Sequence, residues 1–226
     1  MINHRYKCIF IHIPKTGGSS INKFLSGGVA LNWVAPDYDL LYGWCPERKI
    51  HMQHATPFQL LSTGLVTPEQ WNTYFKFCFV RNPWERALSD YLWMMKDTHI
   101  KDSFKNFILK KGRFKRVLLD DSRKAYRGDH LDPQHIFAKP DNGDLDYIGR
   151  FENFSEEMAK ICEILDIPNR FSEHEKKSDT MPSHYSLFYT GSQRKLIEEN
   201  YQEDIQLFDY SFEEQKKGLE KLKNLF

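Results

Sequence analysis

The stretch FIHIPKTGGSS, from Phe10 to Ser20, decides how the chain begins to fold. Its apolar half ends at Pro14 and predicts a buried strand, and the residues from Gly18 to about Leu25 predict a helix. A strand, a glycine-rich turn and a helix together form a geometry that binds phosphate, because backbone N–H groups and the helix dipole both favour an anion. The stretch therefore predicts an anion site.

The residue types in this turn suit an anion. Lys15 supplies a positive charge, and Gly17 and Gly18 allow a ligand to approach the backbone closely. Hydroxyl donors are added by Thr16, Ser19 and Ser20. The lysine precedes the glycines, whereas it follows them in the Walker A pattern GxxxxGK[ST]. A nucleotide kinase or NTPase is therefore a weaker alternative for the enzyme class. The alternative to an anion site is an ordinary glycine turn with a solvated lysine.

A second candidate motif, FVRNPWERALSDY from Phe79 to Tyr91, begins at the end of a predicted strand over Tyr74–Val80. Asn82 and the proline after it predict the start of a helix. Arg81 offers a forked donor for a second phosphate, and Ser89 offers a hydroxyl group. The alternative interpretation is an Arg–Glu pair that stabilises the helix start.

Strand-like and helix-like segments alternate along the chain, and its last two predicted helices run from about Ser192 to Leu207 and from Phe212 to Leu225. This alternation predicts an α/β fold, a three-layer P-loop-like arrangement in which helices flank a mainly parallel sheet. Both candidate motifs then follow the carboxyl ends of strands, after Ile13 and after Val80, where such sheets place their sites. The length of 226 residues and the 40% hydrophobic content predict one domain over residues 1–226.

Charge and cysteine content exclude several classes of protein. The net charge of +1 gives no global basic field for nonspecific nucleic-acid binding, so any anion site must be a local cluster. The four cysteines are widely spaced, which favours buried reduced thiols over a zinc site or disulfides. The first apolar run is too short to span a membrane, so we expect a soluble cytoplasmic protein. A lumenal catalytic domain of a membrane-anchored protein is the open alternative.

The two motifs together resemble the paired signatures of sulfotransferases that use 3′-phosphoadenosine 5′-phosphosulfate (PAPS). PKTGGSS is similar to the loop that holds the 5′-phosphosulfate, and RNPWERALSDY is similar to the 3′-phosphate motif. HLDPQ, from His130 to Gln134, and DYIGRFENF, from Asp146 to Phe154, resemble segments of the carbohydrate branch, which contains heparan 2-O-sulfotransferases and chondroitin sulfotransferases. The segment from Gly27 to Glu47 matches no part of that pattern.

The resemblance implies in-line transfer of a sulfuryl group from PAPS to an acceptor hydroxyl group, expected on a carbohydrate. Lys15 would stabilise the leaving oxygen as 3′,5′-ADP departs, and no metal would be required. Two residues of a late charged loop, Lys177 and Ser178, would close over the nucleotide. The nucleotide-binding residues implied by the resemblance are Lys15, Thr16, Gly17, Gly18, Ser19, Ser20, Arg81, Ser89, Lys177 and Ser178.

A histidine is the natural base for the hydroxyl proton near neutral pH. His51 and His54 lie three residues apart, so an extended segment would direct them to opposite faces unless the strand ends between them. We assign His54 as the base, because it is nearer the expected strand end and resembles the family's base position. His51, His130 and Gln134 are expected on the acceptor side. The open alternatives are packed or solvated histidines and a non-catalytic adenine-nucleotide or glycan binder on the same fold.

Overall fold

The computed structural model describes residues 1–28, 31, 36–141, 143–169 and 182–215. These residues form two compact units, and each unit is assembled from several chain segments. The first unit contains the described residues of Met1–Val80, Asp121–Ala125 and 134–169. The second contains Arg81–Asp120, Tyr126–Pro133 and 182–215. The single domain predicted from length and composition stays a prediction.

The first unit contains a mostly parallel sheet. The strands of the described residues are β1 (Ile2–Asn3), β2 (Cys8–Ile11), β3 (Trp44–Cys45), β4 (Ile50–His51), β5 (Phe75–Val80) and β6 (Tyr147–Arg150). Four of them form one sheet in the order β1-β2-β5-β6, in which only the β1–β2 pair is antiparallel. β3 and β4 form a separate antiparallel pair.

The sheet is buried because its central strands are apolar at nearly every position. All four residues of β2 are buried, as are five of the six residues of β5. Phe10 lies opposite Phe77 in the parallel register, and their rings stack at 5.2 Å. A continuous apolar run of this kind is typical of a parallel strand that is covered on both faces.

Helices flank the sheet in the first unit and form most of the second unit. In chain order they are α1 (Gly18–Leu25), α2 (Pro57–Ser62), α3 (Pro68–Thr73), α4 (Pro83–Thr98), α5 (Phe104–Ile108), α6 (Lys115–Leu119), α7 (His135–Ala138), α8 (Phe154–Ile164), α9 (Gly191–Asn200) and α10 (Gln202–Leu207). α4 to α6, α9 and α10 belong to the second unit. Among the described residues, no helix combines the length and apolar character that crossing a membrane requires.

The second unit packs around aromatic side chains. Its buried core includes Trp84 of α4, Phe107 of α5 and Tyr189, and the Tyr189 hydroxyl group donates a 2.7 Å hydrogen bond to the Trp84 carbonyl oxygen. Asn82 begins α4 as predicted, because its side-chain oxygen accepts hydrogen bonds from the N–H groups of Trp84 and Glu85. The cap fixes the first turn of the helix that carries the second sequence motif.

The sequence predictions of the longer elements are confirmed, with ends shifted by one or two residues. Three other segments differ from the prediction. The antiparallel strand β1 is only two residues long, which leaves too little pattern to detect. The helix predicted over Ser192–Leu207 divides at Tyr201, whose side chain is buried. The helix predicted over Phe212–Leu225 is absent in the described residues 211–215, and residues 216–226 lie outside the described part.

A 3₁₀ turn in the second unit, Gly128–Leu131, contains a carboxylate with an unusual environment. The Oδ1 atom of Asp129 is buried and has no hydrogen-bond partner among the described residues. Burial raises the pKa of Asp129 to about 6, although the attraction of His130 acts in the opposite direction. The folded protein therefore holds this proton more tightly than the unfolded chain does.

The variant Asp129→Asn tests this environment, because it removes the ionisation while preserving the shape. A carboxyl group whose pKa is raised on folding makes the protein less stable as the pH rises. The loss occurs between the pKa of the unfolded state and the pKa of the folded state, here from about 4 to about 6. We expect the variant to be more stable than the wild type by about 2–3 kcal/mol at pH 7, and equally stable near pH 3.5. Urea unfolding at several pH values measures the difference. The exposed Asp121→Asn serves as the control, and a stability gain independent of pH would contradict the assignment.

Candidate functional site

The turn after β2 has the backbone geometry of an anion-binding loop. Lys15 has φ 69° and Gly17 has φ 86°, so both residues lie in the left-handed region, and α1 begins at the next residue, Gly18. A lysine in this region costs roughly 1–3 kcal/mol, which the surrounding structure must offset, and such residues cluster at functional sites. The sequence prediction of a strand, a tight turn and a helix is confirmed here.

The N-terminus of α1 has donors suited to an anion. The N–H groups of Gly18 and Ser19 have no acceptor within the helix, because they belong to its first turn. That turn contains no acidic residue, so no carboxylate offsets the positive end of the helix dipole. Thr16 is fully buried and its hydroxyl group donates a 2.8 Å hydrogen bond to the Ile13 carbonyl oxygen. Its contribution to an anion site would therefore come from its backbone N–H rather than its hydroxyl hydrogen.

His12 lies directly against the start of α1. A Cβ atom added to Gly18 would overlap the imidazole ring of His12, so only glycine fits at this position. His12 is buried, stacks on Phe10, and has its Nδ1 atom 3.4 Å from the Asn22 side-chain nitrogen. His12 stands within the apolar run of the sequence, where its residue pattern predicts no role for it. The pairing of a histidine with a glycine six residues later gives no local signal, because only folding brings the two together.

The predicted base, His54, contacts the same element. Its Nδ1 atom is 3.1 Å from the His12 carbonyl oxygen, and the two rings lie 4.5 Å apart. A carbonyl oxygen can only accept, so Nδ1 of His54 carries the hydrogen, and in the neutral ring the lone pair is on Nε2. The structure thus brings His54 to the end of β2, as the predicted role requires, and fixes which nitrogen could accept a proton.

The backbone changes from a strand to a 3₁₀ turn between His51 and His54. β4 ends at His51, and a 3₁₀ turn covers Met52–His54, so the strand stops between the two histidines, the exception allowed by the sequence reasoning. His51 is 4% exposed and packs on Trp44 with the ring centres 4.9 Å apart. Its predicted place on the acceptor side stays a prediction.

In the second unit, Arg81 and Glu85 form an ion pair of 2.9 Å at the start of α4. The alternative interpretation of the second motif, an Arg–Glu pair that stabilises the helix start, predicts this contact. The contact also fixes the direction of the guanidinium group, which is buried. Ser89 lies on the same helix, two turns further, and is half-buried. Arg86 has a different role: its Nη2 atom donates to the carbonyl oxygens of His130 and Asp132 at 2.8 and 2.9 Å.

His130 belongs to a buried group that the sequence reasoning found only in part. Its Nδ1 atom is 2.7 Å from a carboxylate oxygen of Asp90, and its ring stacks in parallel on Trp93 with centres 4.5 Å apart. Asp90 and Trp93 were missed, although their spacing from Arg86 places all three on one face of α4. The carboxylate orients the imidazole, so Nδ1 carries a hydrogen and Nε2 is the remaining acceptor of the neutral ring.

The other predicted site residues lie in the first unit, in the second unit or outside the described residues. Gln134 is fully buried and precedes α7 in the first unit, whereas His130 belongs to the second. Lys177 and Ser178 lie outside the described residues. Within the described part, no three histidine, cysteine, aspartate or glutamate side chains are grouped as metal ligands would be. The expectation of a metal-free reaction stays a prediction.

Comparison with known proteins gives one family. The model of the sulfotransferase family matches residues 1–211. Carbohydrate sulfotransferase 9 of Homo sapiens is 24% identical over 240 residues, which cover 93% of this chain and 52% of the human protein. The chain therefore spans about half the length of that relative.

A shorter match covers only part of the chain. An uncharacterized protein of Archaeoglobus fulgidus is 29% identical over 96 residues, which cover 42% of this chain and 70% of the archaeal protein. No solved structure matches the chain. Because the family model covers more than nine-tenths of the sequence, including both motifs, the chain belongs to the sulfotransferase family.

Proposed function

We propose that the chain transfers a sulfuryl group from PAPS to a hydroxyl group of a carbohydrate. The observation that carries the proposal is the turn from His12 to Ser20, where Lys15 and the start of α1 form an anion loop. The imidazole of His54 lies against the same turn. The carbohydrate acceptor is supported by the likeness to the human carbohydrate sulfotransferase.

The reaction would form one bond to sulfur and break another. The acceptor oxygen attacks the sulfur atom of PAPS, and the bond between sulfur and the bridging oxygen of the 5′-phosphate breaks. The sulfuryl group is transferred, and the electron pair stays on 3′,5′-ADP. Charge therefore develops on the bridging oxygen, where Lys15 and the first N–H groups of α1 would stabilise it.

His54 would take the proton of the acceptor hydroxyl. Its Nδ1–H group donates to the His12 carbonyl oxygen, so the neutral ring presents its lone pair at Nε2. A base must hold one tautomer and one orientation to be effective, and a fixed backbone carbonyl provides both. His12 is thus a positioning residue, because its backbone oxygen orients the ring of His54.

Arg81 and Ser89 would hold the 3′-phosphate. The carboxylate of Glu85 fixes one edge of the Arg81 guanidinium group, which leaves its planar fork in a set direction. His51, His130 and Gln134 are proposed on the acceptor side, and Lys177 and Ser178 at the nucleotide. Asp90 and Trp93 hold the ring of His130 in one orientation, which a residue that positions an acceptor would need.

A comparison of ligands tests the donor. Thermal unfolding would be recorded with 3′,5′-ADP, with 5′-ADP and with ATP plus magnesium. A ligand at about a hundred times its dissociation constant should stabilise the protein by roughly 2.7 kcal/mol. We expect the large shift with 3′,5′-ADP in the absence of metal. A shift with magnesium-ATP alone would instead support a kinase or NTPase.

The variant Arg81→Ala tests the 3′-phosphate contact. A charged hydrogen bond contributes about 1.5–3 kcal/mol, so we expect the affinity for 3′,5′-ADP to fall roughly 10- to 150-fold, with the affinity for AMP unchanged. Arg194→Ala is the matched control, because Arg194 also pairs with a glutamate four residues later. Equal losses for both nucleotides would assign Arg81 a purely structural role. Calorimetric titration gives both affinities.

The variant His54→Ala tests the base. We expect kcat to fall by about 10²–10⁴, because the proton acceptor is lost, while binding of 3′,5′-ADP is retained. Transfer of radiolabelled sulfuryl groups from PAPS to a panel of desulfated glycans measures turnover, and the exposed His4→Ala is the control. Unchanged turnover in His54→Ala would remove His54 as the base. Nucleotide binding without turnover by the wild type would favour the non-catalytic binder.

A further inference from the structure

Residues 211–215 of the second unit lie against the first turn of α4, and they have neither helical nor strand structure. We call these residues the strap. The match to the sulfotransferase family model ends at Ser211, so most of the strap lies beyond the part of the chain that the family model covers. The reaction proposed above gives the strap no role.

The backbone of the strap is bound to buried hydroxyl groups. The Glu213 N–H group donates a 2.7 Å hydrogen bond to the hydroxyl oxygen of Tyr185. The Gln215 N–H group donates a 3.1 Å hydrogen bond to the hydroxyl oxygen of Ser186. Both hydroxyl groups belong to buried residues. Because a segment without regular structure must find partners for its backbone outside itself, these bonds give the strap a defined position.

The ring of Phe212 anchors the strap in the aromatic core of the second unit. It makes edge-to-face contacts with Trp84, Tyr185 and Tyr189, with ring centres 5.5, 5.4 and 5.8 Å away. The guanidinium group of Arg194 lies 4.7 Å from the centre of the Phe212 ring. Edge-to-face aromatic pairs and a cation over a ring both stabilise a contact beyond the area that it buries.

Asn82 connects the strap to the start of α4. Its side-chain oxygen accepts hydrogen bonds from the N–H groups of Trp84 and Glu85, which caps the helix. Its side-chain nitrogen donates to the Ser211 carbonyl oxygen at 3.3 Å and to the Tyr185 hydroxyl oxygen at 3.4 Å. Because a carbonyl oxygen can only accept, Ser211 determines which end of the amide faces the helix.

The same turn of α4 sets the position of Arg81. The N–H group of Glu85 is bound by Asn82, and the carboxylate of Glu85 forms the 2.9 Å ion pair with the Arg81 guanidinium group. Arg81 also directly precedes the capping residue in the chain. A displacement of the first turn would therefore move both the backbone of Arg81 and the carboxylate that directs its side chain.

We propose that the strap is a positioning element for the 3′-phosphate contact. It holds the first turn of α4, and with it Arg81, so that the guanidinium group is directed before the nucleotide binds. Phe212 and Asn82 are the positioning residues, and they act through Arg81. The inference rests on the function proposed above, in which Arg81 binds the 3′-phosphate. Binding of a nucleotide without that phosphate should not depend on the strap.

Calorimetric titration of the full chain with 3′,5′-ADP and with AMP, which lacks the 3′-phosphate, tests the strap. Phe212→Ala removes the aromatic anchor. Asn82→Ser keeps a good helix cap but lacks the side-chain nitrogen that binds Ser211. We expect each variant to bind 3′,5′-ADP roughly two- to tenfold more weakly, because the long Arg81 side chain must then be ordered on binding. The affinity for AMP should equal that of the wild type.

Phe188→Ala is the matched control for Phe212→Ala. Both phenylalanines are partly buried and pack against the same core, but the ring of Phe188 contacts Tyr91, Phe104 and Tyr189. The control should bind both nucleotides as the wild type does. Equal losses of 3′,5′-ADP affinity in the two variants, or equal losses for both nucleotides, would show a general loss of stability and overturn the proposal.

A double variant tests whether the strap acts through Arg81. In the Arg81→Ala background, Phe212→Ala should change the affinity for 3′,5′-ADP by less than about twofold, because two residues that act on one contact are not additive. The same loss in this background as in the wild type would overturn the positioning role.

These titrations also separate the two proposals. If Arg81→Ala binds 3′,5′-ADP weakly while Phe212→Ala and Asn82→Ser bind it as the wild type does, the strap proposal is overturned and the proposed function stands. A wild type that does not bind 3′,5′-ADP overturns both.

Discussion

The contact between the ring of His12 and the backbone of Gly18 is the constraint on which the candidate site depends. The imidazole occupies the space that any side chain at position 18 would need, so the start of α1 can lie directly beside the end of β2. This close approach positions the first N–H groups of the helix and the left-handed turn that carries Lys15. Because interiors are close-packed, the site would lose this geometry if either partner changed in size.

His54 extends the same constraint to a residue far along the chain. Its ring is oriented by the backbone oxygen of His12, so the turn that carries Lys15 and the proposed base share one support. A backbone carbonyl cannot change its protonation state, which makes it a permanent acceptor. His130 in the second unit is oriented differently, by the carboxylate of Asp90. In both histidines Nδ1 therefore carries a hydrogen, for different physical reasons.

The second unit places its basic residues in two different environments. Arg86 is buried and its donors bind the carbonyl oxygens of His130 and Asp132, so it stabilises the fold. Arg113, by contrast, is exposed on a loop whose backbone is fixed by Asp102. A buried guanidinium group must have its hydrogen bonds satisfied within the protein, whereas an exposed one on a rigid loop can interact with an external anion at small entropic cost.

The sequence by itself determined the α/β class, the mainly parallel strands, the tight glycine turn after β2 and the cap of α4, because these depend on local apolar runs, glycines and capping residues. It also favoured His54 over His51 as the base, from the strand position and from the family resemblance, and that choice stays a prediction. The tertiary structure alone decided that His12 packs on Gly18, that Thr16 donates to a carbonyl oxygen, that Asp90 and Trp93 hold His130, and that the cations around α5 and α6 are exposed. These facts depend on contacts between distant residues and on which faces the core covers, and a local pattern contains neither.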